Sequence, residues 1–249
     1  MLTFDLQIFK YCLNLHAKVQ KRSEKCTFEN KKSQNNFVLS AKSCNFAHNM
    51  NNNLQEVRWS ENVILADADY IDRVAFNLIV NFERMLGRRI PQADIARWID
   101  CVALDGGIRE GEHETLVVLI HQKGKQSLEN FVPGAFEELD GKAFKDHLGE
   151  FAINAYPIEQ IAGGEDFFTE VLSLVTAQKE VKRVMVIPNL EEDTIYNKVR
   201  ETLRQVDDEE KRVTLFAMQP LTGGNYRQEI LGYSLMAALG ISADEIHEK

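Results

Sequence analysis

Residues 63–86 read VILADADYIDRVAFNLIVNFERML, and the fold class turns on this stretch. It opens on Val63-Ile64-Leu65-Ala66, a short apolar run without polar alternation, which is the composition of a strand in a sheet covered on both faces. Asp67-Ala68-Asp69 ends the run. Beyond it Ile71, Val74, Ala75, Leu78, Ile79, Phe82, Met85 and Leu86 recur at intervals of three and four, one helical face sustained to a closing Gly87.

Working outward, the same alternation continues to the end of the chain. A second helix is expected from about Pro91, with the stripe Ile95, Trp98, Ile99 and Val102, ending at Gly106-Gly107. Four more strands are expected at Thr115–His121, Glu150–Tyr156, Arg183–Pro188 and Arg212–Gln219. Helices are expected over Asp166–Gln178 (burying Phe167, Val171, Leu174, Val175), Asp193–Gln205 (Ile195, Val199, Leu203) and Tyr226–Leu239 (Ile230, Leu231, Leu235, Leu239). Lys123–Gly149 reads as a loop with one or two helical turns. The expected fold is a single three-layer α/β sandwich on a five-stranded, mostly parallel sheet, with suggested strand order 3-2-1-4-5.

The 249 residues carry 29 Lys and Arg against 38 Asp and Glu, a formal charge of −9. That sum joins two unlike pieces. Residues 1–49 hold 8 basic and 3 acidic side chains (+5), so residues 50–249 hold 21 basic and 35 acidic ones (−14). The first piece lacks glycine, proline and any sustained period, and reads as an extension outside the fold; Met50 is a candidate for the true start, and residues 50–249 form the domain. No run reaches the roughly 18 apolar residues of a membrane helix. With no C-x-x-C and no targeting element, a reducing, cytoplasmic setting is expected and a zinc site or disulfide framework is not.

In an open parallel sheet, ligands bind outside the carboxyl ends of the strands, where strand order reverses. The residues that follow the expected strands are therefore the candidates: Asp67 and Asp69, then His121, Lys123 and Lys125, then Glu159, Glu165 and Asp166, then Asn189, Glu191, Glu192 and Asp193, and last Leu221-Thr222-Gly223-Gly224-Asn225. The suggested order would set Asp67 opposite Asn189, with Asp166 nearby and His121 on the next strand. Carboxylates gathered this way suit Mg²⁺ or Mn²⁺, hard cations that take oxygen ligands and leave waters for a phosphate substrate. No other cofactor is indicated.

On VILADADY, GGEDFF and VMVIPNLEEDTIYNKV the layout resembles the PIN/NYN-like nuclease fold, over about residues 62–220, and the body also resembles the uncharacterised bacterial domains of unknown function. The first resemblance implies a metal-dependent ribonuclease in which Asp67 matches the first-strand acid and Asp166 the helix acid. The fourth-strand acid has no match, since Pro188-Asn189 stand there. The D-x-D of Asp67 and Asp69 also resembles the opening of haloacid-dehalogenase-like phosphatases, but Ile71 departs from that pattern.

Simpler roles compete for the same residues. Asp69, Asp166 and Asp193 fall near helix starts, where an acid caps free N–H groups and stabilises by about 0.5–2 kcal/mol without chemistry. Asp67, directly after a buried central strand, is the acid least explained by capping. His121 reads as a satisfied strand-end residue, Asp207–Glu210 and Glu110–Glu114 as solvated loops, and Thr222–Asn225 as a helix-entry turn that could also cradle an anion. No P-loop or G-x-G-x-x-G follows the first strand.

Two functions remain: a non-catalytic, degenerate PIN-like domain acting through a protein partner or self-association, and an Mg/Mn-dependent phosphodiesterase or ribonuclease. Small-ligand binding in the same crevice is a third. A body at −14 disfavours a nucleic-acid partner, because nucleic-acid affinity comes largely from phosphate neutralisation.

Overall fold

A computed structural model describes residues 58–158, 164–191, 193–206, 210–224 and 226–247, with the backbone alone at 164–166, 193, 243 and 247. Residues 1–57, and with them the proposed extension and Met50, lie outside the described residues.

The chain runs β1 (Asn62–Asp67), α1 (Ala68–Leu86), β2 (Ala93–Asp94), α2 (Ile95–Asp105), β3 (His113–Gln122), β4 (Phe131–Val132), α3 (Phe136–Leu139), β5 (Lys142–Asp146), β6 (Gly149–Ile158), α4 (Gly164–Ala177), β7 (Arg183–Ile187), α5 (Asp193–Arg204), β8 (Arg212–Ala217), β9 (Arg227–Ile230) and α6 (Leu231–Ala238). The main sheet has seven strands in the order β5-β6-β3-β1-β7-β8-β9, which corrects the expected five-stranded sheet and its order by one strand added at each end. The five anticipated strands form its interior, and β5 and β9 extend it at the two ends. All neighbours are parallel except β5, which runs antiparallel to β6. A small β2–β4 pair stands apart.

Period-two alternation divides the inner strands between two cores. Val63 and Leu65 of β1, Leu116, Val118 and Ile120 of β3, Val184 and Val186 of β7, and Val213 and Leu215 of β8 pack with Phe168, Val171, Leu172 and Val175 of α4 and Ile195, Val199 and Leu203 of α5. The intervening Ile64, Ala66, Val117, Leu119, Met185, Ile187 and Phe216 are equally buried and point to the other face, where α1, α2 and α6 lie. With both faces covered, strands read as continuous apolar runs, which is why β1 is so conspicuous in the sequence.

Four boundaries differ from expectation. The α4 stripe keeps the expected Val171 and Val175, but Phe168 and Leu172 are its other buried members in place of Phe167 and Leu174. Helix α2 starts at Ile95 rather than near Pro91, because the Asp94 carboxylate caps it by accepting from the Arg97 amide at 3.0 Å. The expected loop at 123–149 contains β4, α3 and β5. The last helix starts at Leu231, and Arg227–Ile230, expected in it, is strand β9.

The segment from Ile241 onward belongs to a separate compact unit. There Ser242 precedes α7 (Ala243–His247), and its hydroxyl and amide both pair with the Glu245 carboxylate, a capping box closed on itself.

Candidate site at the carboxyl edge of the sheet

From β1 the chain builds β3 and β6 on one side and later β7, β8 and β9 on the other. The order thus reverses at β1, between Asp67, in register with Ile120, and Ala66, in register with Ile187. Asp67 therefore stands at the switch point. It is also the N-cap of α1, its carboxylate accepting from the Tyr70 amide at 2.9 Å. This corrects both the assignment of capping to Asp69 and the expectation that Asp67 is the acid least explained by capping. Burial pushes the Asp67 carboxyl up to about 6; the Tyr70 amide and the Arg73 charge oppose the rise, while Asp69 adds to it.

Asp69, in the first turn of α1, accepts from the Gln122 amide at 2.8 Å and pairs with Lys125 at 3.2 Å. One turn on, the buried Asp72 accepts from the Asn130 amide and side chain at 2.8 and 3.1 Å, with Lys125 3.8 Å away. These two acids tie α1 to the connections on either side of Lys125. Their role in the structure is to hold chain, and neither signal was legible in spacing alone, because both partners come from 50 or more residues downstream.

Asn189 is buried, and its side-chain oxygen accepts from Arg73 at 3.2 Å; the same guanidinium nitrogen donates to Glu191 at 3.0 Å, and the guanidinium carbon lies 5.5 Å from the centre of the Tyr70 ring. Arg73 is the residue that sequence reasoning missed. It falls six positions after Asp67 on α1, and its meaning depends on β7 arriving beside β1. His121 is buried against Phe136, the rings stacked at 3.7 Å, and burial lowers its pKa, so it is a packed, neutral ring.

Glu192 and Glu159 lie outside the described residues, as do the side chains of Glu165, Asp166 and Asp193; the backbone puts Glu165 and Asp166 in the first turn of α4 and Asp193 at the start of α5. Among the described residues, no three His, Cys, Asp or Glu side chains gather as a cation-holding group. The Thr222-Gly223-Gly224 turn leads into β9 rather than a helix, which removes the helix N-terminus an anion cradle there would need; Asn225 lies outside the described residues. At the opposite edge, Glu112 and Glu114 line a cavity of about 670 Å³ with Glu61 and Glu180, and Glu112 pairs with Lys145. Glu114 itself belongs to β3, not to the preceding loop.

Chemically, the carboxyl edge offers Asp67, an acid whose carboxyl burial raises to about 6, and beside it Arg73, bound to an amide and a carboxylate, while Lys125 is paired with Asp69. Residues 62–238 form a doubly wound α/β fold with its candidate site at the switch point. A family model described as a family of unknown function, DUF6621, matches residues 56–246, and the chain belongs to that family. No curated protein and no solved structure matches it. No helix of the described residues is long and apolar enough to cross a membrane.

Proposed function

We propose that this domain acts by association, with a protein partner or a second copy of itself, and that its carboxyl edge is a degenerate, non-catalytic version of a PIN-like site. The observation that carries the reading is Arg73. Its guanidinium bonds Asn189 and Glu191 and acts on Asp67, supplying as a fixed side chain the positive charge that a metal would bring to a nuclease edge. Asp69 and Asp72 are already bonded to backbone amides and Lys125, which leaves them little to offer a cation. Phe76 on α1 and Val132 in β4, each 52% exposed, give an associating surface apolar points of contact.

The test is calorimetric titration of the full chain with Mn²⁺, repeated on Asp67→Asn, alongside sedimentation velocity over a range of protein concentrations. The reading expects no metal heat and a sedimentation coefficient that rises with concentration. Metal binding lost in Asp67→Asn would sink it in favour of the Mg/Mn-dependent phosphodiesterase, the reading that the raised Asp67 carboxyl favours.

A further inference from the structure

Three arginines open three adjacent strands at the amino edge of the sheet. Arg183 begins β7 and is in register with Arg212, the first residue of β8; two positions along β8, Thr214 is in register with Arg227, the first residue of β9. Side chains alternate across a strand, so register partners and positions two apart share a face, and all three point to the side of the sheet that carries α2. There the chain leaves α2 through Gly106 and Gly107. Arg183 Nη1 donates to the Gly106 carbonyl at 2.8 Å. A Cβ on Gly107, whose φ is +89°, would lie 2.9 Å from Arg183 Nη1 and 3.8 Å from Arg227 Nη1, so the two guanidinium nitrogens are less than 7 Å apart across a bare backbone. Arg109 curls over the same end of α2, donating to the Leu104 and Ile108 carbonyls at 3.3 and 2.9 Å.

Four like charges are thereby held together in a body of net charge −14. Burial and the charges of Arg212, Arg109 and Arg227 disfavour the protonated Arg183, with Glu61 opposing them. Glu229 pairs with Arg227 at 2.8 Å. Glu61 and Glu229 offset part of the charge that the four arginines bring together. Among the described residues, the buried Arg183 Nε has no hydrogen-bond partner, so one donor of the guanidinium is left without an acceptor there.

We propose that this cluster is a binding site for a phosphoryl oxyanion, a phosphate monoester or diphosphate of a small molecule. Planar guanidinium forks match phosphate oxygens two at a time, and a phosphoryl anion would offset the mutual repulsion that the arginines exert on Arg183. The site is independent of the carboxyl edge, and its failure would leave the association reading untouched.

The experiment is thermal unfolding and calorimetry of the full chain with inorganic phosphate and pyrophosphate, against sodium chloride at matched ionic strength. The variants are Arg183→Gln and Arg227→Gln, with Arg84→Gln on α1 as a charge-matched control. Pyrophosphate should raise the melting temperature beyond chloride, and each cluster variant should weaken binding by roughly tenfold, about 1.4 kcal/mol, while the control leaves it unchanged. A shift that chloride reproduces, or one equal in all variants, overturns the proposal, as does binding of a short oligonucleotide with pyrophosphate inert.

Discussion

The two edges of the central sheet handle charge in opposite ways. At the carboxyl edge each described acid has a partner: Asp67 caps α1, Asp69 holds Gln122 and Lys125, Asp72 holds Asn130, and Glu191 shares Arg73 with Asn189. At the amino edge Arg183, Arg212 and Arg227 are brought side by side by strand register, which selects position without regard to charge. The carboxyl edge is where the fold class leads one to look for a ligand, yet its charges are spent on structure. The amino edge has no such reputation and keeps charge in reserve.

The largest effect that would break this contrast is expected at Asp72. If the carboxyl edge is structural, Asp72→Ala should destabilise by about 3 kcal/mol in denaturant unfolding, because it removes two hydrogen bonds from Asn130 to a buried, charged acceptor and leaves the part-buried Asn130 amide without that partner. A change under about 0.5 kcal/mol would show that Asp72 is not needed to hold the connection and is available for other work.

Asp67 should move the other way, with a pH signature. Its carboxyl is raised from 3.8 to about 6, so the folded chain holds this proton more tightly than the unfolded chain does. The stability it contributes is present at low pH and is lost as pH rises from about 4 through about 6. Asp67→Asn keeps an acceptor for the Tyr70 amide and removes the charge. It should therefore stabilise by about 1–3 kcal/mol at neutral pH and by almost nothing near pH 4. Paired unfolding curves at the two pH values check this, and a uniform offset at both would contradict the burial argument. Asp100 on α2, raised by burial and then by the neighbouring Asp146, should behave alike when changed to Asn.

These residues also show what the sequence made legible. Both interior cores were readable because Val63–Ala66, Leu116–Ile120 and Val184–Ile187 carry the unbroken apolar signal of strands buried on two faces. Strands β5 and β9 were not, since Lys142-Ala143-Phe144-Lys145-Asp146 and Arg227-Gln228-Glu229-Ile230 are edge strands. Charge on an edge blocks pairing with another chain, and it erases the hydrophobic pattern that would announce a strand. At the site, Asp67 was legible because it directly follows a central strand. Arg73 was not, because an exposed arginine on a helix has no special pattern until β7 brings Asn189 to it. The arginines at the amino edge each begin a separate strand, 29 residues apart for the first pair, and only strand order makes them neighbours.

Arg73 gives a smaller but sharper test of the carboxyl edge. Its pair with Glu191 is half exposed on both sides, so Arg73→Gln should cost at most about 1 kcal/mol. Removing the guanidinium also removes a charge that holds the Asp67 carboxyl down, so the pKa of Asp67, followed by NMR titration, should rise further. An unchanged Asp67 titration would mean that Arg73 is not the cation of this edge, and the strongest support for a non-catalytic reading would go with it.

The smallest effect lies at the amino edge. Arg212 is exposed there and acts on Arg183 as a like charge. Arg212→Gln should therefore stabilise the ligand-free chain by a few tenths of a kcal/mol at low ionic strength, because repulsion between partly exposed charges is real but weak. The gain should disappear by about 0.5 M salt, where the screening length falls to a few ångströms. Pyrophosphate should invert the sign: with the anion present, the same variant should become the less stable chain, since a charge that repels its neighbours in the empty cluster attracts the ligand in the filled one. A substitution whose effect changes sign with phosphate and vanishes with salt separates a charge kept for a ligand from one that merely tolerates its neighbours.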